Sequence, residues 1–171
     1  RSTHNSFFSR QVCAERIAFN DDGTIDEVEM TTQGIEGPIA CSCVIEAYRA
    51  CMLSGSVYVD DYCDEKESYE YLSNIHNGDR AAYKYINFDK NITGLAVTAS
   101  SQTYGGTIQI YLDTMESQLV GDIEIKETGG KYTFHSFKGR IKPDVSGVHA
   151  VYLKFTGNKG VLMNLKEFRF I

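Results

Sequence analysis

Tryptophan, the broadest aromatic platform available to a protein, is absent from this chain, so any flat ligand face has to be met by its 11 tyrosines and 9 phenylalanines. Only two prolines occur, and 42% of the residues are hydrophobic, which excludes a largely disordered chain. Basic runs are missing too. With 17 Lys and Arg against 23 Asp and Glu the net charge is -6, which leaves nothing to neutralise a phosphate backbone and argues against nucleic acid as a partner. No apolar stretch approaches the length of a membrane span, and the opening RSTHNSFFSR has neither an initiator Met nor the apolar centre of a signal peptide. No membrane partner is expected, and the chain reads as an excised piece of something longer.

The signatures of common active sites are also lacking. There is no GxSxG, no GxGxxG after a strand and no P-loop. His4, His76, His135 and His149 are scattered, and none stands at metal-ligand spacing from another His or Cys. Asp60, Asp61, Asp64 and Glu65 share one polar run that reads as solvated charge, from which no acid and base pair stands out. Cys13, Cys41, Cys43, Cys51 and Cys63 are an odd number without a CxxC, and they read as free thiols that do not set the compartment.

What is present is alternation with a period of two. ERIAF and TIDEVEM flank the acidic turn NDDG as a hairpin, and TTQGIEGPIA, with Pro38, marks a boundary between residues 1–37 and 38–171. Beyond it CVIEAYRACML, SVYVDDY, DRAAYKYINF, TGLAVTAS, GGTIQIYLD, QLVGDIEIK, YTFHSFKGRI, VHAVYLKF and LMNLKEFRFI read as about nine short strands. In GGTIQIYLD, Ile108, Ile110 and Leu112 alternate with Thr107, Gln109 and Tyr111, the mark of a strand with one buried face. Short strands at this spacing predict an all-β, antiparallel sandwich. DDYCDEKESYEYLSNIHNGDR shows no clean alternation and reads as a long surface loop closed by the turn HNGD.

The blocks NGDRAAYK, NFD, VTASS, GGTIQIYLD, LVGDIEI, TGGKYTF, SGVHAVYLKFTG and MNLKEFRF follow, in order, the pattern of family 6 carbohydrate-binding modules from about Pro38 to Ile171. The resemblance implies a jelly-roll sandwich of the galactose-binding-domain type. Its partner would be a plant cell-wall polysaccharide or oligosaccharide. The stretch FSRQVCAERIAFNDDGTIDEVEMT resembles the closing strands of a glycoside hydrolase family 43 β-propeller. Together they imply a non-catalytic binding module of a xylan- or arabinan-degrading enzyme, of β-xylosidase or α-L-arabinofuranosidase type, with the catalytic domain preceding it in the same chain. The alternative is a degenerate module that binds no sugar and packs against the propeller.

In the family two aromatic rings sandwich a sugar and an asparagine hydrogen-bonds it. The Asn falls on Asn164, but the ring positions fall on Asn74 and Lys131, both polar. Lys131, expected at a hairpin tip, reads as a solvated charge more readily than as a ligand contact. Tyr132 alternates to the opposite side and replaces the ring only if the turn is rearranged. Asn164 serves equally well to satisfy backbone groups at the rim. Tyr69, Tyr71, Tyr83, Tyr85 and Tyr111 offer material for a platform elsewhere, including the concave sheet face that relatives use. A structural calcium, usual in the family, is not expected, and no cofactor is. Only Glu46 survives of its side-chain ligands; Tyr48 and Lys166 occupy the others, and a contact between Lys166 and Glu46 is expected to fill the place.

Overall fold

The computed structural model describes residues 12–89, 91–142 and 144–171. His4 and residues 8–11, where the propeller-like stretch begins, lie outside the described residues. Twelve strands follow one another: β1 (Ile39–Ala40), β2 (Ile45–Glu46), β3 (Met52–Ser54), β4 (Tyr58–Cys63), β5 (Ser68–Ile75), β6 (Arg80–Phe88), β7 (Gly94–Ser100), β8 (Gly106–Leu112), β9 (Gly121–Ile125), β10 (His135–Arg140), β11 (Gly147–Thr156) and β12 (Met163–Phe170). The single helical element described is a 3-10 turn over Ala47–Arg49.

Two six-stranded sheets form the sandwich. Sheet I runs β1-β6-β11-β8-β9 with β3 also on β6, and sheet II runs β10-β7-β12-β5-β4 with β2 also on β12. All pairings are antiparallel except β1 with β6. The expected antiparallel sandwich is therefore the observed fold. Alternation sends Ile108 and Ile110 of β8, Val151, Leu153 and Phe155 of β11, and Leu95, Val97 and Ala99 of β7 into the space between the sheets, all essentially without solvent contact. Aromatic rings lock the two sheets edge to face, Tyr83 on Phe168 at 4.7 Å and Phe88 on Phe170 at 4.8 Å between centroids. The Tyr83 hydroxyl donates to the Ala47 carbonyl at 2.8 Å, so this buried polar tip is satisfied.

Two expectations about local structure are corrected. CVIEAYRACML is not one strand: β2 belongs to sheet II and β3 to sheet I, and the 3-10 turn carries the chain across. DDYCDEKESYEYLSNIHNGDR is not a long loop. It contains the end of β4, a tight turn and all of β5, and only HNGD behaves as the expected turn, with Asp79 N–H donating to the His76 carbonyl. The Asp64 carboxylate closes the first turn by accepting from the Lys66 and Glu67 amides at 2.7 and 2.9 Å. Alternation in β5 is masked for two reasons. Asn74 takes a left-handed conformation (φ 57°), which shifts the phase so that Leu72 and Ile75, three apart, both enter the core. The opposite face of the strand is covered as well, so Tyr71 is fully buried without joining the core.

The NDDG turn forms, with a bridge between Phe19 and Ile25 in place of full strands. Near its end the segment before Pro38 meets β6: Thr32 N–H donates to the Lys84 carbonyl, and the Lys84 amide returns a bond to Thr32 Oγ1 at 3.0 Å. Glu29 accepts from Lys84 Nζ and from the Tyr85 hydroxyl, each at 2.6 Å, and these bonds hold its carboxyl below the usual carboxylate range.

Candidate carbohydrate site

A cleft of about 200 Å³ opens where β5, β7 and β12 meet their loops. It gathers Asn74, Lys131 and Asn164, three positions far apart in sequence. Tyr132, the fourth, is not in its lining; its ring turns away to Tyr62, 4.8 Å between centroids.

Asn164 is only 4% exposed. Its Nδ2 donates to the Lys131 carbonyl at 3.0 Å and to Ser100 Oγ at 3.3 Å, and the Ser100 hydroxyl donates to the same carbonyl. Both amide hydrogens are thus engaged in holding the loop after β9, which leaves Oδ1 as the remaining acceptor of the side chain. Asn74 donates to the Ser56 carbonyl at 3.0 Å.

Lys131 is not a solvated charge at a hairpin tip. The strands before and after it belong to different sheets, so TGGKYTF is a crossover laid on the outer face of sheet II. There the Lys131 ammonium sits 3.2 Å from Asp60 Oδ2 and 5.1 Å from the centre of the Tyr132 ring. Tyr71, beneath the crossover, donates to the same Asp60 oxygen at 3.0 Å. Burial works against the ammonium, yet hydrogen bonding to Tyr71 and Asp60 outweighs it and raises the Lys131 pKa above the ordinary range. The Tyr71 phenol is raised as well, first by burial. Neither group changes charge near neutral pH.

The other tyrosines divide between the sheets. On sheet II, Tyr62 stacks on Tyr69 at 5.2 Å, and Phe134 from the crossover meets both Tyr69 and Tyr71 edge-on. Lys166 does not contact Glu46 as expected. Its ammonium lies 3.6 Å from the centre of the Tyr69 ring, a cation–π contact, while Glu46 pairs with Arg49 at 3.7 Å. On sheet I, Tyr83 is core, Tyr85 is tied to Glu29, and Tyr111 stands half-exposed opposite Tyr152 in register. Of the tyrosines considered for a platform, only Tyr111 is neither buried nor bonded to a charged neighbour on the chain; its hydroxyl donates to Gln109 at 3.3 Å.

One residue was missed. Tyr58 of β4 lines the cleft beside Ser73, its register partner, and Asn74. The signal was available: in SVYVDDY, Val57 and Val59 are core and alternate with Tyr58, Asp60 and Tyr62. A cleft with one aromatic wall, an amide at its base and the exposed Gln102 amide at its rim suits a single polar ring, being smaller than the ~300–1,000 Å³ that drug-sized ligands occupy.

A solved family 6 carbohydrate-binding module from Clostridium cellulolyticum, in complex with xylose, superposes with a TM-score of 0.71 at 31% identity, covering 77% of this chain and 98% of that one. An arabinoxylan arabinofuranohydrolase of Paenibacillus polymyxa is 34% identical over 100 residues, 58% of this chain and 16% of its own length. A xylosidase/arabinosidase of Thermoclostridium stercorarium is 27% identical over 98% of this chain and 38% of its own length, so the chain spans well under half of these curated relatives. The model of the carbohydrate binding module (family 6) matches residues 46–171, and the chain belongs to that family.

Proposed function

We propose that this chain is the polysaccharide-binding part of a glycoside hydrolase, holding its parent enzyme on plant cell-wall xylan or arabinan while the catalytic carboxylates lie elsewhere in that parent. The observation that carries the reading is the single-ring cleft built around Asn164 in a family 6 sandwich. Support for the substrate class comes from the relatives, which include arabinoxylan arabinofuranohydrolases and a module solved with xylose. Because Asn74 and Lys131 stand where two rings would be, affinity is expected to be low, in the range of about a millimolar. Titration calorimetry with xylo- and arabino-oligosaccharides tests this: heats that saturate, and that vanish in Asn164→Ala, support it. Heats absent with every ligand would leave only the packing role.

The calcium position of the family does not suit a cation here. A divalent ion needs six to eight oxygens. Lys166 stands where the family's pattern has a ligand and turns its ammonium onto the Tyr69 ring, and Glu46 is already paired with Arg49. Chelator is therefore expected to leave the melting temperature unchanged; a fall of several degrees would mean that a metal is bound.

The segment before Pro38 belongs in this reading to the junction with the catalytic domain. Ile17, Phe19, Ile25, Val28, Met30 and Ile35 are exposed along it, an apolar surface that a neighbouring domain would cover. Limited proteolysis of the whole enzyme and of this chain tests the assignment: protection of residues 12–37 only in the whole enzyme supports it.

A further inference from the structure

We infer that the aromatic contacts of the cleft have moved to two residues that stand at neither ring position of the family, Tyr58 and Tyr104; the inference rests on the sugar-binding reading above and names the side chains that perform it. A pyranose or furanose ring offers a face of C–H groups that an aromatic side chain covers, while its hydroxyls need polar partners at the rim. At the two ring positions nothing aromatic remains. Asn74 is turned onto the Ser56 carbonyl, and the Lys131 side chain is held on sheet II by Asp60.

Tyr58 supplies a ring at the first position from the neighbouring strand. Its register partner is Ser73, the residue before Asn74, and its side chain lines the cleft. The β4 alternation fixes this, because Val57 and Val59 point to the core. Unlike Tyr62, Tyr69 and Tyr71 it belongs to none of the ring-to-ring contacts described above, and it is half-exposed where it lines the cleft.

Tyr104 would supply the second ring from the loop after β7. Ser101, Gln102 and Thr103 line the cleft, and Tyr104 follows them directly, 86% exposed. A tyrosine ring carries a large apolar area, and its hydroxyl alone does not explain leaving that area in water. The loop beneath it is not slack: Ser101 Oγ donates to the Leu162 carbonyl at 2.6 Å and Thr103 Oγ1 to the Val161 carbonyl at 2.9 Å. Gly105, next in sequence, has φ +73° and packs so closely that an added Cβ would lie 1.8 Å from the Ile125 carbonyl oxygen. The backbone therefore holds Tyr104 at the rim. A sugar unit seated over Asn164 Oδ1 would have Tyr58 as wall, Tyr104 as lid and Gln102 for its outer hydroxyls. A cleft of about 200 Å³ admits one such unit, so chain ends or side-branch sugars are the ligand class.

The test is titration of the intact chain with xylobiose, xylotetraose and arabinotriose, followed by calorimetry and by ultraviolet difference spectra, which report tyrosine at wavelengths beyond phenylalanine absorption because there is no Trp. Tyr58→Ala and Tyr104→Ala should each weaken binding about fivefold or more, and the double variant should abolish the tyrosine difference signal. Tyr104→Ala removes a ring from solvent and will fold, so it remains decisive if Tyr58→Ala is unstable. Native-like affinity in the Tyr104 variant, or loss in Tyr152→Ala on sheet I with both cleft variants unaffected, overturns the inference and leaves the sugar-binding reading standing. No binding by the native chain to any of the three ligands overturns both.

Discussion

The outer faces of the two sheets are both rich in tyrosine and do opposite things with it. On sheet II the crossover after β9 lays Lys131, Tyr132 and Phe134 over Tyr62, Tyr69 and Tyr71, so rings meet rings or ammonium groups. On sheet I, Tyr111 and Tyr152 stand side by side in register and half-exposed, with no crossover above them among the described residues. Both faces carry tyrosines and their solvent access differs, because the crossover lies across the patch on sheet II, while on sheet I the segment before Pro38 reaches Lys84 and Tyr85 of β6. A count of aromatic residues therefore says little about binding until the path of the loops is known. On sheet II only Tyr58, beyond the edge of the covered patch, keeps its ring in the cleft.

The largest effect that would sharpen this contrast is on stability. Tyr71 is fully buried, packs edge-on against Phe134 and Tyr132, and donates to Asp60. Tyr71→Ala should cost about 3–5 kcal/mol in denaturant unfolding, from lost burial and an unrefilled cavity. Tyr152→Ala on the open face should cost under about 1 kcal/mol. Equal losses would mean the two faces are not different in kind.

Next in size is the Lys131 to Asp60 pair. Lys131→Met leaves the carboxylate with Tyr71 as its partner, and both charged side chains keep about a third of their exposure, 35% and 28%. Solvent screening reduces the penalty well below that of a fully buried pair, to about 1–2 kcal/mol. A double-mutant cycle with Asp60→Asn measures the coupling. A coupling near zero would show that the crossover is held by its rings and by the Lys131 carbonyl, which accepts from Asn164 and Ser100.

How far the sequence reached follows the same division. Strands with one wet face, such as β8, show their alternation openly, and the sandwich could be read from them. β5 was hidden because Asn74 breaks the phase and the crossover buries the second face; nothing local to SYEYLSNI announces either event. The positions of Asn74, Lys131 and Asn164 were legible and do converge on one cleft. Their bonding was not. Asp60 lies 71 residues before Lys131, and Lys166 chose the Tyr69 ring over Glu46, choices made by which side chains the sheet sets adjacent. The polar residue at a ring position was legible as a loss, and its role as a strut was not.

The smallest effect separates the faces by pH. At the end of sheet I, His149 Nδ1 lies 2.8 Å from Asp113 Oδ2 and Nε2 lies 2.8 Å from the Ser146 carbonyl. Both partners accept, so only the imidazolium can donate to both. Burial opposes that charge, but the bonds to Asp113 and Ser146 outweigh it and raise the pKa. With the folded value above the unfolded one of about 6.5, the contribution is complete below that pH and is lost as pH rises through the raised value. Asp113 is mostly exposed, with 57% of its side chain in solvent, so the whole contribution should be about 1 kcal/mol or less. His149→Gln should therefore lower the melting temperature at pH 6 and do so much less at pH 9. Tyr71→Ala should carry the same deficit at pH 6 and at pH 8, since neither Tyr71 nor Lys131 titrates between them. A His149→Gln deficit that does not shrink with rising pH would mean that the ring holds the loops by shape rather than by charge.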